Sequence, residues 1–161
     1  SGHVATGMWW TAGFKEGKKI PIYNREIQVE FDVKVEKFIY EGTDEWLRIA
    51  LACAVQRKDG SVVYTEIDIL DSPNTQRHPT GNIPFGGDII YRYGDVVEFK
   101  LDEIPLNTWR HYSVDLDDYL KRAWGIEEGD LLESVYIVVE SDWNPVEVEL
   151  KIDNFWINIS S

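Results

Sequence analysis

Apolar and polar residues alternate with period two along most of this chain. Ile27, Val29, Phe31, Val33 and Val35 alternate with Gln28, Glu30, Asp32, Lys34 and Glu36. That period belongs to a strand with one buried and one wet face. A second row, Leu47, Ile49, Leu51, Cys53 and Val55, has Trp46, Arg48, Ala50, Ala52 and Ala54 on its other side. A third strand from Val62 to Leu70 turns Val63, Thr65, Ile67 and Ile69 inward and Tyr64, Glu66 and Asp68 outward. Between these two, Lys58-Asp59-Gly60-Ser61 carries the Asp-Gly signal of a hairpin turn. Further strands are predicted over 88–93, 96–101, 108–116, 132–142 and 146–159.

Three irregularities interrupt the alternation. Asp117 to Trp124 reads as the one convincing helix, capped by an Asp and stopped by Gly125. Residues 71–87 are dense in Pro, Gly and Asn, and long for a plain connection, which fits a functional or metal-bound loop, or an ordered Ω-loop. In the last strand the apolar set moves from Val146, Val148, Leu150 and Ile152 to Phe155, Ile157 and Ile159. A one-residue slip of this kind predicts a β-bulge, with Trp156 and Asn158 facing away from the core and Asp153 at the kink.

Eight to ten antiparallel strands with one short helix predict an all-β fold, a two-sheet antiparallel β-sandwich of jelly-roll type. Ser1-Gly2-His3 reads as an expression scar, and residues 4–161 as a single domain. The expectation is a piece of a larger exported protein, monomeric and extracellular, cut away from a catalytic domain.

Composition narrows the partners. The chain has 161 residues, with 16 Lys+Arg against 29 Asp+Glu, for a net charge of −13. Such a chain repels phosphate backbones and anionic membrane surfaces, so neither nucleic acid nor membrane is an expected partner. The lone Cys53 excludes an internal disulfide and sits in an apolar run, as a small buried hydrophobe does. No CxxC or His/Cys cluster suggests zinc. Scarce Met, Cys and Gln beside abundant Glu agree with a thermophilic source. The aromatic count is high, with 7 Trp, 8 Tyr and 6 Phe, more than a core of this size usually needs.

Part of that surplus falls on the non-core faces. The alanines Ala50, Ala52 and Ala54 leave a trough where a wet face normally carries Lys, Glu or Thr. Trp46 and Arg48 border it, and Tyr64, Glu66 and Asp68 follow on the next strand. Trp109, His111 and Ser113 lie opposite inward Tyr112 and Val114. Tyr136, Val138 and Glu140 lie opposite Val135, Ile137 and Val139. If these strands share a sheet, it presents aromatic rings beside an Arg, a His and carboxylates. Pyranose faces stack on such rings, and sugar hydroxyls bond to charged planar groups. The expected ligand-binding residues are therefore Trp46, Arg48, Tyr64, Glu66, Asp68, Trp109, His111, Tyr136 and Glu140. The plain alternative is that this face is covered and its Trp residues are secondary core. His3 and His78 complete no Ser/His/Asp arrangement with His111.

The acidic run Glu66-Ile-Asp68-Ile-Leu-Asp71 resembles the E-I-D-I-x-E strand of family 16 glycoside hydrolases. There, paired carboxylates flank the scissile bond, and retaining hydrolysis needs two carboxyls about 5–5.5 Å apart. Asp71 stands where that family's acid/base Glu would be. Carboxylates also suit Ca²⁺, and Asp153, Glu16, Asp71 and Asp142 are the candidate ligands.

Two segments resemble β-sandwich carbohydrate-binding modules of the family 4, 11 and 22 type. Asn107-Thr-Trp109-Arg-His-Tyr112-Ser-Val-Asp115-Leu116 is similar to their W-x-x-h-x-h-D-h segment. Val148-Glu-Leu-Lys-Ile152-Asp153-Asn154-Phe155-Trp-Ile157 is similar to their final strand. The resemblance implies a structural Ca²⁺ held by Asp153, with Glu16 from the N-terminal segment, and a glycan lying across the concave sheet. The leading expectation is a non-catalytic module for a β-glucan or related plant polysaccharide such as cellulose. A small hydrolase using Glu66 with Asp68 or Asp71 is the second reading. A structural or protein-interaction sandwich is the third.

Overall fold

The computed structural model describes residues 8–11, 17–41, 47–73, 89–141 and 146–160. Among them are ten strands: β1 (Met8–Thr11), β2 (Ile20–Pro21), β3 (Glu26–Tyr40), β4 (Leu47–Gln56), β5 (Val62–Asp71), β6 (Ile89–Tyr93), β7 (Val96–Lys100), β8 (Arg110–Asp115), β9 (Leu131–Ser141) and β10 (Val146–Ser160). One helix, α1 (Leu116–Trp124), follows β8 without a break. The strands build an all-β sandwich. Its wide sheet runs β1-β9-β4-β5-β7-β6, with β2 also on β9, and its narrow sheet runs β10-β3-β8. The pairing is antiparallel except between β5 and β7, which are parallel. Strict antiparallel alternation did not anticipate that pair.

The inward rows of the two sheets make the core. Val29, Phe31, Val33 and Val35 of β3 meet Ile49, Leu51, Cys53 and Val55 of β4, with Ile67, Ile69, Val135 and Ile137 beside them. Phe31 stacks on Tyr112 and Phe155, with centroids 5.3 and 5.7 Å away. Burying each large side chain stabilises the fold by about 1.5–3 kcal/mol, so these rows fix which face of every strand turns inward. Cys53 lies fully inside, and burial pushes its thiol up to about 12, which leaves it protonated and inert.

Helix α1 closes one end of the sandwich. Leu116, Leu120 and Ala123 recur at helical spacing and are buried. Its capping differs from the expected Asp cap. Asp115 occupies the N-cap position but makes no side-chain cap bond. Asp117 Oδ1 instead accepts from the Ile27 amide at 2.9 Å, tying the first turn to β3. Gly125 ends the helix at φ 65°, its amide donating to Lys121 O at 3.0 Å. The Asp59-Gly60 turn forms as its sequence requires. Gly60 takes φ 89°, and Asp59 Oδ1 accepts from the Ser61 amide and hydroxyl.

Two bulges re-aim side chains. The parity slip in β10 appears as a register break between Asp153 and Trp156, with Asn154 at φ 50°. The second bulge has no parity change to announce it, because two apolar residues fall together. Ile49 pairs with Leu70 and Ala50 with Asp68, which leaves Ile69 extra on β5. Ile69 and Leu70 both join the core. The extra residue returns Asp71 to the face that carries Glu66 and Asp68.

Candidate functional site

The outer face of the wide sheet is set by cross-strand register. Tyr136, Ala52, Glu66 and Glu98 form one row across β9, β4, β5 and β7. Val138, Ala50, Asp68 and Lys100 form the next, and Glu140, Arg48 and Asp71 a third. Side chains directly opposite each other share a face, so these residues converge. The strand parities thus bring together Arg48, Tyr64, Glu66, Asp68, Tyr136 and Glu140, and they add Glu98 and Asp71.

The expected trough is buried. Ala50, Ala52 and Val138 are buried and pack with Tyr136. Glu66 keeps 5%, Glu98 1% and Asp68 0% of its surface in solvent. As placed, these acids do not reach a polymer lying on the surface, which corrects the expectation that Glu66 and Asp68 read sugar hydroxyls. Strand parity assigns a side to a residue, and it carries no information about whether water reaches that side.

Arg48 is the hub. Its Nη2 lies 3.1 Å from Glu66 Oε2 and pairs with Glu140 Oε2, while Nη1 pairs with Glu98 Oε1. Burial opposes its charge, but Glu66, Glu98 and Glu140 outweigh that and hold the guanidinium firmly protonated. Lys100 Nζ stands 3.7 Å from Asp71 Oδ2. Burial raises the carboxyls of Glu66, Asp68 and Asp71 above their ordinary values, and it raises Glu98 to about 7. Repulsion from Glu98 and Asp71 adds to the shift of Asp68, while Arg48 pulls the other way. Among the described residues neither oxygen of Asp68 meets a hydrogen-bond donor, nor does either oxygen of Asp71 or Glu98 Oε2. One carboxylate oxygen each from Glu66, Asp68 and Glu98 lies within 4.8 Å of the others. Sequence reasoning missed Glu98. It sits in plain alternation within Val96-Val-Glu-Phe-Lys100, and only the parallel β5–β7 pairing sets it beside Glu66.

Trp109 and His111 do not join this cluster. His111 belongs to β8 of the narrow sheet, and Trp109 directly precedes that strand, on the opposite side of the sandwich, because β8 pairs with β3. Trp109, Arg110, His111, Asp32 and Asp153 line an open pocket of about 340 Å³. His111 Nδ1 donates to Asp32 Oδ1 at 2.7 Å, and Asn154 Nδ2 donates to Asp32 Oδ2 at 2.8 Å. The Asn154 and His111 bonds lower the Asp32 carboxyl, and the Asp32 bond raises the imidazole. Trp109 is 49% and Trp156 43% exposed, two large indoles on one sheet face.

Trp46 and Glu16 lie outside the described residues, as do His78 and Asp142. Asp153 is exposed, and its Oδ1 accepts from the Asn154 amide at 2.8 Å, which braces the bulge. Both oxygens of the adjacent Asp32 already have donors, so among the described residues Asp153 gathers no ligand set for a cation. The chain matches no protein-family model and no curated protein.

Proposed function

We propose that this domain is a non-catalytic carbohydrate-binding module, and that it holds a β-glucan or related plant polysaccharide on the outer face of the narrow sheet. The observation that carries this reading is the pair of half-exposed indoles, Trp109 and Trp156, on one largely polar face. Lone exposed aromatics are ordinary; two on one face, separated by a hydrogen-bonded polar row, make a stacking track with readers. Strand geometry spaces them on the order of 15 Å apart, across two strands and about four residues of rise. His111, Arg110, Asp32 and Asp153 supply donors and acceptors between the rings. The net charge of −13 favours a neutral, hydroxyl-rich polymer over a polyanion.

The hydrolase reading keeps one favourable observation. The Ile69 bulge sets Glu66, Asp68 and Asp71 on one face, as paired catalytic carboxylates require. Their burial counts against it, since a glycosidic oxygen must come within hydrogen-bond reach of the acid.

Affinity electrophoresis through gels containing soluble polysaccharides tests the proposal. At least one β-glucan is expected to retard the protein. Trp109→Ala and Trp156→Ala should each weaken binding about tenfold or more, since truncating an anchoring aromatic commonly costs about 2 kcal/mol. Tyr23→Ala, an exposed aromatic elsewhere, should bind as the parent does. Failure of every glycan to retard the chain, or retention unchanged in both Trp variants, overturns the reading. Release of reducing ends, abolished by Glu66→Gln, would establish the hydrolase instead.

A further inference from the structure

We propose that the outer face of the wide sheet contains a divalent-cation site, best suited to Ca²⁺, formed by Glu66, Asp68 and Glu98 with Asp71 beside them. The first argument is geometric. Two oxygens across a Ca²⁺ ion, each at about 2.4 Å, stand about 4.8 Å apart. The nearest carboxylate oxygens of Glu66, Asp68 and Glu98 all lie within 4.8 Å of one another, the span that one such ion bridges.

The second argument is independent of the spacing. Asp68 is fully buried, and both its oxygens lack a donor. A buried carboxylate without hydrogen bonds is among the costliest arrangements a fold can hold. Asp68 points into the same cluster as Glu98 Oε2, which also has no donor. Such oxygens call for a partner that brings positive charge.

Charge decides which partner. Five acids meet here: Glu66, Asp68, Asp71, Glu98 and Glu140. Among the described residues two cations face them, Arg48 and Lys100. Arg48 is engaged with Glu66, Glu98 and Glu140, while Lys100 stands 3.7 Å from Asp71 and pairs more closely, at 2.8 Å, with the exposed Glu103 outside the group. With all five acids ionised, the surplus is three negative charges. A monovalent ion leaves two uncompensated, while a divalent ion leaves one, which a single proton shared between neighbouring Asp68 and Asp71 removes. The all-oxygen donor set disfavours zinc and other metals that seek nitrogen or sulfur. Dehydration in a dry site disfavours Mg²⁺, which keeps its water shell. The site differs from the one implied by resemblance at Asp153 and Glu16. It also lies on the sheet opposite the proposed glycan face, so either proposal can fail alone.

The test uses the full chain after treatment with a chelator. Calorimetric titration with CaCl₂ is expected to give one ion per chain. At a hundredfold excess over Kd, Tm should rise by roughly 5–10 °C. Asp68→Asn should abolish that rise, and Asp153→Asn should retain it. If Asp68→Asn does not fold, Glu98→Gln decides, with affinity for CaCl₂ weakened tenfold or more. Absence of binding heat and of any Tm shift with CaCl₂ and MnCl₂ overturns the proposal. So does a calcium response that survives Asp68→Asn, is lost in Asp153→Asn, or keeps its affinity in Glu98→Gln.

Discussion

Asp130 and Asp68 carry the same carboxylate, and both are sealed from solvent at 1% and 0% exposure, yet their surroundings are opposite. Asp130 sits where the chain turns into β9. Its Oδ1 accepts from the Lys58 amide at 3.1 Å and lies 3.3 Å from Arg57 Nε, while its Oδ2 accepts from the Glu127 amide at 2.9 Å. The charge is balanced and both oxygens are occupied. Asp68 has three acidic neighbours, Glu66, Asp71 and Glu98, and among the described residues no donor. The first acid is a finished structural part that pins a hairpin to a loop. The second belongs to a group that the cations among the described residues do not neutralise. Burial by itself therefore says little about what an acid does; the donors around it separate a brace from a site.

Four measurements would break or sharpen that contrast. Asp130→Ala should have the largest effect, because it strands two amides and Arg57 in the interior. The loss is expected to be about 3–5 kcal/mol, read from chemical denaturation. A loss under about 1 kcal/mol would mean the brace is dispensable.

The pH dependence of the chelated protein comes next. Glu98 is raised to about 7 by burial, against 4.5 in the unfolded chain. It faces Glu66 and Asp68 on β5, Asp71, Arg48 on β4, Glu140 on β9 and Lys100. Between those values the folded state holds a proton that the unfolded state has released. Stability is thus fully present below about pH 4.5 and is lost as pH rises through 7. The decline should be on the order of 3–4 kcal/mol, taking about 1.4 kcal/mol per pKa unit. Glu98→Gln should flatten it. A stability that increases over this range in the chelated protein would contradict the assignment.

Asp68→Asn should stabilise the chelated protein by about 1–2 kcal/mol, since it removes an uncompensated charge and supplies an amide donor. The same substitution at Asp130 should destabilise it. Equal signs at the two positions would erase the comparison. Smallest of all, Asp32→Asn should lower the His111 pKa toward its ordinary value, followed by imidazole shifts in NMR titration. An unchanged titration would mean that the Asp32 bond does not hold the ring.

Much of this architecture can be read from residues alone, and the reasons are specific. The row Ile27 to Val35 alternates cleanly because β3 has one core face, and it folds as read; the row Leu47 to Val55 turns inward as read, but the alanine face of β4 is buried as well. The β10 bulge is legible because inserting Asn154 shifts every later apolar residue by one. The β5 bulge is silent because Ile69 and Leu70 are both apolar, so no parity change follows. Sheet membership is the other blind spot. Trp109 and Tyr136 each have a readable outer side, but alternation within one strand cannot say which strand lies next to it. It therefore could not separate the narrow-sheet pocket from the wide-sheet cluster. Glu98 depended on a parallel neighbour, and that pairing is a long-range event with no local signature.

The pairing of β3 with β10 has a kinetic consequence. Those strands come from opposite ends of the described chain; Lys37 and Glu147, which pair across them, are 110 residues apart. Closing so long a loop costs entropy before any core contact repays it. Topologies dominated by such pairings fold on the millisecond-to-second scale. Until β10 arrives, one long edge of β3 lacks its partner, so folding yield should depend strongly on protein concentration, with dilution favouring the native chain over intermolecular strand pairing.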